Sequence, residues 1–224
     1  MQSAETHFKN VLEKAPGSYN TRLYLARVYG ETDQRGKAAE QYREAIKVSP
    51  GDYRAYKGLM TSGFILGNPA ESVWAGEEAL KNGVPEEAIT AMLGWAYYLT
   101  GDFAKAEPAL KKAAESHERG DTGPLNNLGI FYFSQGRYDE ALAEFAKAAE
   151  LNKRSVVVSY FLALAYNGLG DREKALGALR EGIVRDPELE KKIPDYKKQF
   201  FPHGDPGDLS ALFGKLAGEK DAAP

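Results

Sequence analysis

Apolar residues recur along most of the chain at i, i+3, i+4 and i+7, the spacing of one face of an α-helix. The helical stretches are short and come in pairs, parted by Gly67-Asn68, Gly101-Asp102, Gly136-Arg137 and Gly170-Asp171. These glycines stand 34, 35 and 34 residues apart. Eight residues before each is a leucine, at Leu59, Leu93, Leu128 and Leu162; Leu25 begins an earlier period whose turn reads TDQRG. Four residues after the leucine comes a tyrosine at Tyr29, Tyr97, Tyr132 and Tyr166, with Gly63 as the exception. Beyond the turn the order is small, bulky, small. The first small position holds Ala38, Ser72, Ala106, Ala141 and Ala175. The bulky one holds Tyr42, Leu110, Phe145 and Leu179, with Gly76 again the exception. Ala45, Ala79, Ala113, Ala148 and Gly182 follow, and Pro50 and Pro187 close two of the periods.

Each period predicts a hairpin of two helices. Small residues recur where the helices must approach, and large ones fill the space beside them. A single hairpin cannot cover its own apolar stripe, whereas stacked neighbours can. Read with Leu93-Gly94-Trp95-Ala96-Tyr97 and Leu128-Gly129-Ile130-Phe131-Tyr132, this register resembles the tetratricopeptide repeat family. The resemblance implies an all-α fold, a right-handed superhelical α-solenoid of stacked antiparallel helix hairpins. Five repeats are expected at 19–52, 53–86, 87–120, 122–155 and 156–189, with Asp121 inserted. Gly63 and Gly76 make 53–86 the repeat whose packing is in question.

Residues 1–18, with Ala4, Phe8, Val11 and Pro16, fit the second helix of a truncated repeat, as expected of a piece of a longer array. Residues 190–217 are set apart as a capping helix, a loop and a short amphipathic helix. The cap is read over 187–200, started by Asp186 and Pro187, with Leu189, Ile193, Tyr196 and Phe200 on one face and Pro194 as a kink. Lys191, Lys192, Lys197 and Lys198 are expected to face water. FPHGDPGD reads as a loop. Leu209, Leu212, Phe213 and Leu216 then mark a helix too short to stand alone, expected to dock on the flank of the stack or in a groove of this or a neighbouring molecule. Residues 218–224 read as a disordered tail.

Composition narrows the function classes. A net charge of −3 with mixed signs offers no basic face for nucleic acid. Cysteine is absent, which removes disulfides and thiolate chemistry and leaves the compartment open. No apolar run is long enough to span a bilayer, and MQSAETHFKN lacks the basic-then-apolar pattern of a secretory signal. His7, His117 and His203 form no helical pair. SHERGD, from Ser116 to Asp121, puts a histidine among carboxylates, but between repeats where solvated residues belong. GDPGD lacks the remaining ligands of a calcium loop, and Glu86 and Glu87 suit a helix start. No phosphate loop, dinucleotide fingerprint or nucleophile elbow occurs. No catalytic residue, cofactor or metal site is expected; an enzyme role would need a catalytic domain outside this chain.

In such a stack the first helix of every hairpin faces the concave side, and the register then names a partner surface: Arg27, Lys57, Phe64, Trp95, Tyr98, Asn126, Asn127, Ile130, Phe133, Tyr160, Leu164 and Asn167. Aromatic and aliphatic residues with flanking bases suit an amphipathic helix or an extended apolar segment with acidic flanks. The expectation is a non-catalytic protein-interaction scaffold, set in a multiprotein secretion or envelope assembly. The alternative is a regulatory or targeting module of a larger enzyme. Self-association through 205–217 or the uncovered N-terminal flank is a further arrangement. A chaperone-peptide clamp is disfavoured, because the matching positions Leu23, Arg27, Gly58, Ala88 and Met92 include one basic residue. Replacing Trp95 and Tyr160 with Ala is expected to remove partner capture without changing the melting temperature.

Overall fold

The computed structural model describes residues 2–116 and 120–221. Among these residues every regular element is helical: thirteen α-helices and one 3₁₀ turn. They divide into two compact units, Met1–Lys112 and Ala113–Pro224.

The N-terminal unit contains α1 (Gln2–Lys14), α2 (Tyr19–Glu31), α3 (Arg35–Val48), α4 (Tyr53–Ile65), α5 (Pro69–Lys81), the 3₁₀ turn Glu86–Ala88 and α6 (Thr90–Thr100). It also holds most of α7 (Phe103–Glu115). From α1 to α6 each helix packs on the next. Two helix starts in this unit, those of α4 and α5, are capped by side chains. The Asp52 carboxylate accepts from the Arg54 N–H at 2.9 Å, and Asn68 accepts from the Glu71 N–H ahead of a helix opened by Pro69. The hairpin turns need a left-handed residue, supplied by Gly67 (φ 68°) and Gly101 (φ 80°). In the first hairpin the same register position is Asp33, with φ 58°.

Small and large residues interlock across each hairpin. Gly94 abuts Leu110, whose backbone nitrogen would lie 3.0 Å from any Cβ added there. In the 53–86 segment the sizes are exchanged: Met60 supplies the bulk and Gly76 the space. A Cβ on Gly76 would come 3.2 Å from Met60 Cε and 2.7 Å from Leu93 Cδ1. Gly63 lets Ser72 approach, and the Ser72 hydroxyl donates to the Met60 carbonyl at 2.8 Å. The segment whose packing the glycines put in question is therefore closely packed, with Met60, Ser72 and Gly76 buried.

The C-terminal unit contains α8 (Gly123–Ser134), α9 (Tyr138–Leu151), α10 (Val156–Gly168), α11 (Arg172–Arg185), α12 (Leu189–Phe200) and α13 (Ser210–Asp221). Helices α8 to α11 pack in chain order, with Phe145 filling the space over Gly129. Asp171 caps α11 by accepting from the Lys174 N–H at 3.1 Å. Helix α12 begins at Leu189, two residues later than Pro187 suggested. Asp186 instead ends α11, and its carboxylate accepts from the Glu188 N–H at 3.1 Å. The helix continues through Pro194, which sits inside it. Gly182 stands where the other repeats carry alanine and makes room for buried Leu189. Helix α13 packs on α11 and buries Leu209, Leu212, Phe213 and Leu216. It runs on to Asp221, so residues 218–221 are helical rather than part of a disordered tail.

Candidate partner-binding walls

In the N-terminal unit the first helices of the hairpins, α2, α4 and α6, carry the expected contact residues. Arg27 and Lys57 are exposed, while Phe64 and Trp95 are half-buried. Arg27 pairs with Glu31 at 3.3 Å. The Lys57 ammonium lies 5.8 Å from the Tyr53 ring centroid, and among the described residues it forms no ion pair. Ile65, next to Phe64 on α4, is 53% exposed and borders Asp33–Lys37 at the α2–α3 turn. Tyr98 does not belong to the open surface. It is fully buried, its ring 4.9 Å from Trp95 and 6.2 Å from Phe103.

Two charged clusters brace this unit. The Arg54 guanidinium holds the Asp52 carboxyl down to about 2, well below the usual carboxylate range. The same guanidinium lies 5.3 Å from the Tyr19 ring centroid. Burial, reinforced by Asp52, pushes the Tyr19 hydroxyl up to about 12. In the second cluster Glu77 accepts from the Lys105 ammonium at 2.9 Å and from the Tyr97 hydroxyl at 3.0 Å, and the lysine holds its carboxyl below the ordinary value.

The corresponding wall of the C-terminal unit is closed. Ile130, Phe133, Tyr160 and Leu164 are all buried; Asn126, Asn127 and Asn167 are half-buried. The chain's own C-terminal aromatics cover the Phe133 and Tyr160 part of this wall. Tyr196 lies 5.6 Å from Tyr160, and Phe200 lies 5.2 Å from Phe161. Phe201 reaches Phe133 at 5.5 Å and Phe161 at 6.4 Å, while Phe145 stacks on Phe161 at 5.0 Å. The expected open groove is thus corrected for these four residues. Each aromatic ring has roughly 150–250 Å² to bury, and a tethered segment reaches the wall at high effective concentration. Burial also raises the Tyr160 hydroxyl above its ordinary range, with Asp205 adding to it. Tyr160 is therefore a core residue, and its removal would not leave the melting temperature unchanged. Two polar atoms of this wall, Tyr160 Oη and Asn126 Oδ1, are buried without a hydrogen-bond partner.

Tyr196 and Phe200 were legible as the apolar face of a cap, but not which wall they would cover; Phe201 read as loop. A second missed feature lies on α3 and α5. Ile46, Pro50 and Trp74, with Arg43, Lys47 and Glu78, line an open pocket of about 480 Å³, and Trp74 is 48% exposed. His7 and His203 are exposed, and His117 lies outside the described residues. Among the described residues no group of three His, Asp or Glu could hold a metal ion, and no helix is long and apolar enough to cross a membrane.

Comparison with known proteins decides the family. One tetratricopeptide repeat model matches residues 1–62 and 132–190, more than half of the chain, and a second matches 91–156. The chain belongs to the tetratricopeptide repeat family. Among curated relatives, Tetratricopeptide repeat protein 37 of Xenopus laevis is 25% identical over 83% of this chain and 12% of its own length. A TPR repeat-containing protein of Methanocaldococcus jannaschii is 27% identical over 83% of this chain and 33% of its own length. The chain thus spans a third or less of these two relatives. Among solved structures, YrrB, described as a TPR protein with an unusual peptide-binding site, superposes with a TM-score of 0.64 at 24% identity, covering 85% of this chain and 97% of its own. PilW, described as a type IV pilus biogenesis factor, gives a TM-score of 0.70 at 20% identity over 86% and 90%. At these identities the likeness speaks for the fold. Tetratricopeptide repeats are in general non-catalytic modules of protein–protein interaction.

Proposed function

We propose that this tetratricopeptide repeat protein is a non-catalytic scaffold that holds a partner through an amphipathic helix or extended apolar segment laid on the α2–α4–α6 wall. Arg27 and Lys57 would meet acidic flanks of that segment, and Ile65, Phe64 and Trp95 its apolar side chains. The observation that carries this reading is Lys57: an exposed cation with no carboxylate partner among the described residues, on the same helix as an exposed isoleucine. A place in a multiprotein secretion or envelope assembly is the setting we assign, in keeping with the fold shared with PilW.

The test compares capture of proteins from native lysate by three full-length chains: wild type, Lys57→Glu/Trp95→Ala and Trp74→Ala. A partner held by wild type and Trp74→Ala, and lost by Lys57→Glu/Trp95→Ala at unchanged helicity, supports the wall. A partner lost only by Trp74→Ala moves the docking surface to the α3–α5 pocket and overturns the assignment.

A further inference from the structure

The closed wall of the C-terminal unit carries what a helix-binding surface needs: a row of apolar side chains, Ile130, Phe133, Tyr160 and Leu164, edged by Asn126 and Asn167. Its occupant is a helix presenting aromatic residues one turn apart, Tyr196 and Phe200, with Phe201 beside them.

The fit is incomplete in two respects. Tyr160, packed against Tyr196, has its Oη buried with no partner, so the segment covers a polar atom and returns no hydrogen bond to it, and Asn126 Oδ1 on α8 is likewise buried and unpartnered. The hold on the segment is also weak between its ends. Leu189 and Phe201 are buried, while Ile193, Tyr196 and Phe200 between them are half-buried. Pro194 takes one N–H out of the helical ladder. Of the α12 ion pairs, Lys192 to Asp186 fastens the helix to the end of α11 and Lys197 to Asp205 at 2.9 Å to the loop that follows, and neither reaches the α8–α10 wall.

We infer that Leu189–Phe201 is a displaceable stand-in for a ligand: the α8–α10 wall receives a helical segment of a partner protein whose aromatic residues are spaced as Tyr196, Phe200 and Phe201. The chain's own copy keeps the wall shut until such a segment competes. A partner that also bonds the Tyr160 hydroxyl outcompetes the tethered copy by satisfying an atom the copy leaves bare. This rests on the scaffold reading and adds a second, gated surface to it.

The probe is a fluorescent peptide of residues 187–203, titrated into the full chain and into the full-length Tyr196→Ala/Phe200→Ala variant, whose own segment is weakened. The variant is expected to bind the peptide at least about ten-fold more tightly than wild type, because the competing tether is loosened. Equal binding by both chains at intact helicity makes the segment a fixed cap and overturns the inference. If the variant loses helicity, hydrogen exchange on the wild type decides. Amides of 195–201 exchanging at least about ten-fold faster than those of α10 support opening apart from the repeats; equal rates overturn it. A wild-type mass that doubles with concentration, and is returned to monomer by the peptide, identifies a second copy as the occupant and overturns the assignment to a foreign partner. Lys57 and Trp95 lie outside this wall, so failure here leaves the α2–α4–α6 reading standing, and the reverse also holds.

Discussion

Tyr196 lies with its ring 5.6 Å from that of Tyr160, so a residue beyond the last repeat closes over the middle of that repeat's first helix. The contact buries the Tyr160 hydroxyl without giving it a partner. Ring and hydroxyl therefore act in opposite directions. Tyr160→Ala should cost about 3–5 kcal/mol, the usual loss for a buried aromatic. Tyr160→Phe should be neutral or stabilising by up to about 1 kcal/mol, because it removes an unsatisfied polar group and keeps the ring. Urea denaturation followed by circular dichroism measures both, and a loss above about 1 kcal/mol for Tyr160→Phe would show that the hydroxyl is bonded.

Gly182→Ala runs against the repeat pattern. Alanine stands at this register position in the other repeats, at Ala45, Ala79, Ala113 and Ala148, and a pattern-based choice would introduce it as a stabiliser. Here the added Cβ would meet Leu189 Cδ2 at 2.7 Å and Ser159 Cβ at 3.3 Å, and Leu189 is fully buried. The substitution should lower stability by about 1–3 kcal/mol despite alanine's better helix propensity. A raised melting temperature would show that Leu189 moves aside freely.

The exchange of bulk between Met60 and Gly76 predicts coupling. Gly76→Leu restores the residue type that the repeat pattern asks for, but drives a side chain into Leu93 and Met60. It should destabilise by about 1–3 kcal/mol, and Met60→Ala alone by about 2–5 kcal/mol. Combined, the two should cost less than the sum of the single effects by about 1 kcal/mol or more, the signature of contacting sites. Additivity within about 0.5 kcal/mol would mean that the two side chains do not share one space.

The hairpins were legible because the code for them is local and redundant. Leu, Tyr and Ala return in one register, and the turn glycines at positions 67, 101, 136 and 170 all adopt positive φ. The exceptions were harder to interpret. Asp33 takes the same left-handed position without being glycine, a conformation that aspartate tolerates and most residues do not. Gly76 marked an apparent packing fault because its compensation, Met60, lies on the facing helix and outside any single-position pattern. The candidate site was legible only by halves. The repeat register says which residues are expected to face inward, and two of those it names, Arg27 and Lys57, are exposed. It cannot say whether a segment with its own periodicity will fold back over them. Tyr196 and Phe200 form one apolar stripe, and such a stripe fits the end of a stack as well as its inner side. Which of these it covers depends on contacts far apart in the chain.

Asp52 separates a helix cap from a charge. Its carboxylate accepts from the Arg54 backbone N–H at 2.9 Å and from the Arg54 guanidinium, with contacts at 2.6, 3.0 and 3.1 Å. The guanidinium holds the folded carboxyl down to about 2, against 3.8 for the ordinary group. A depressed folded value means that the unfolded chain takes up the proton first. The stabilisation is therefore fully present above the ordinary value and is lost as pH falls from there through about 2. Asn serves nearly as well as Asp at a helix start but carries no charge, so Asp52→Asn should be less stable than wild type near neutrality and converge on it by about pH 2. Asp52→Ala loses the cap as well, and should remain about 1 kcal/mol below Asp52→Asn at every pH and further below wild type near neutrality. Urea midpoints of the three proteins across this range measure the two contributions, and a gap between wild type and Asp52→Asn that does not shrink in acid would show that the charge of Asp52 adds nothing to the start of α4.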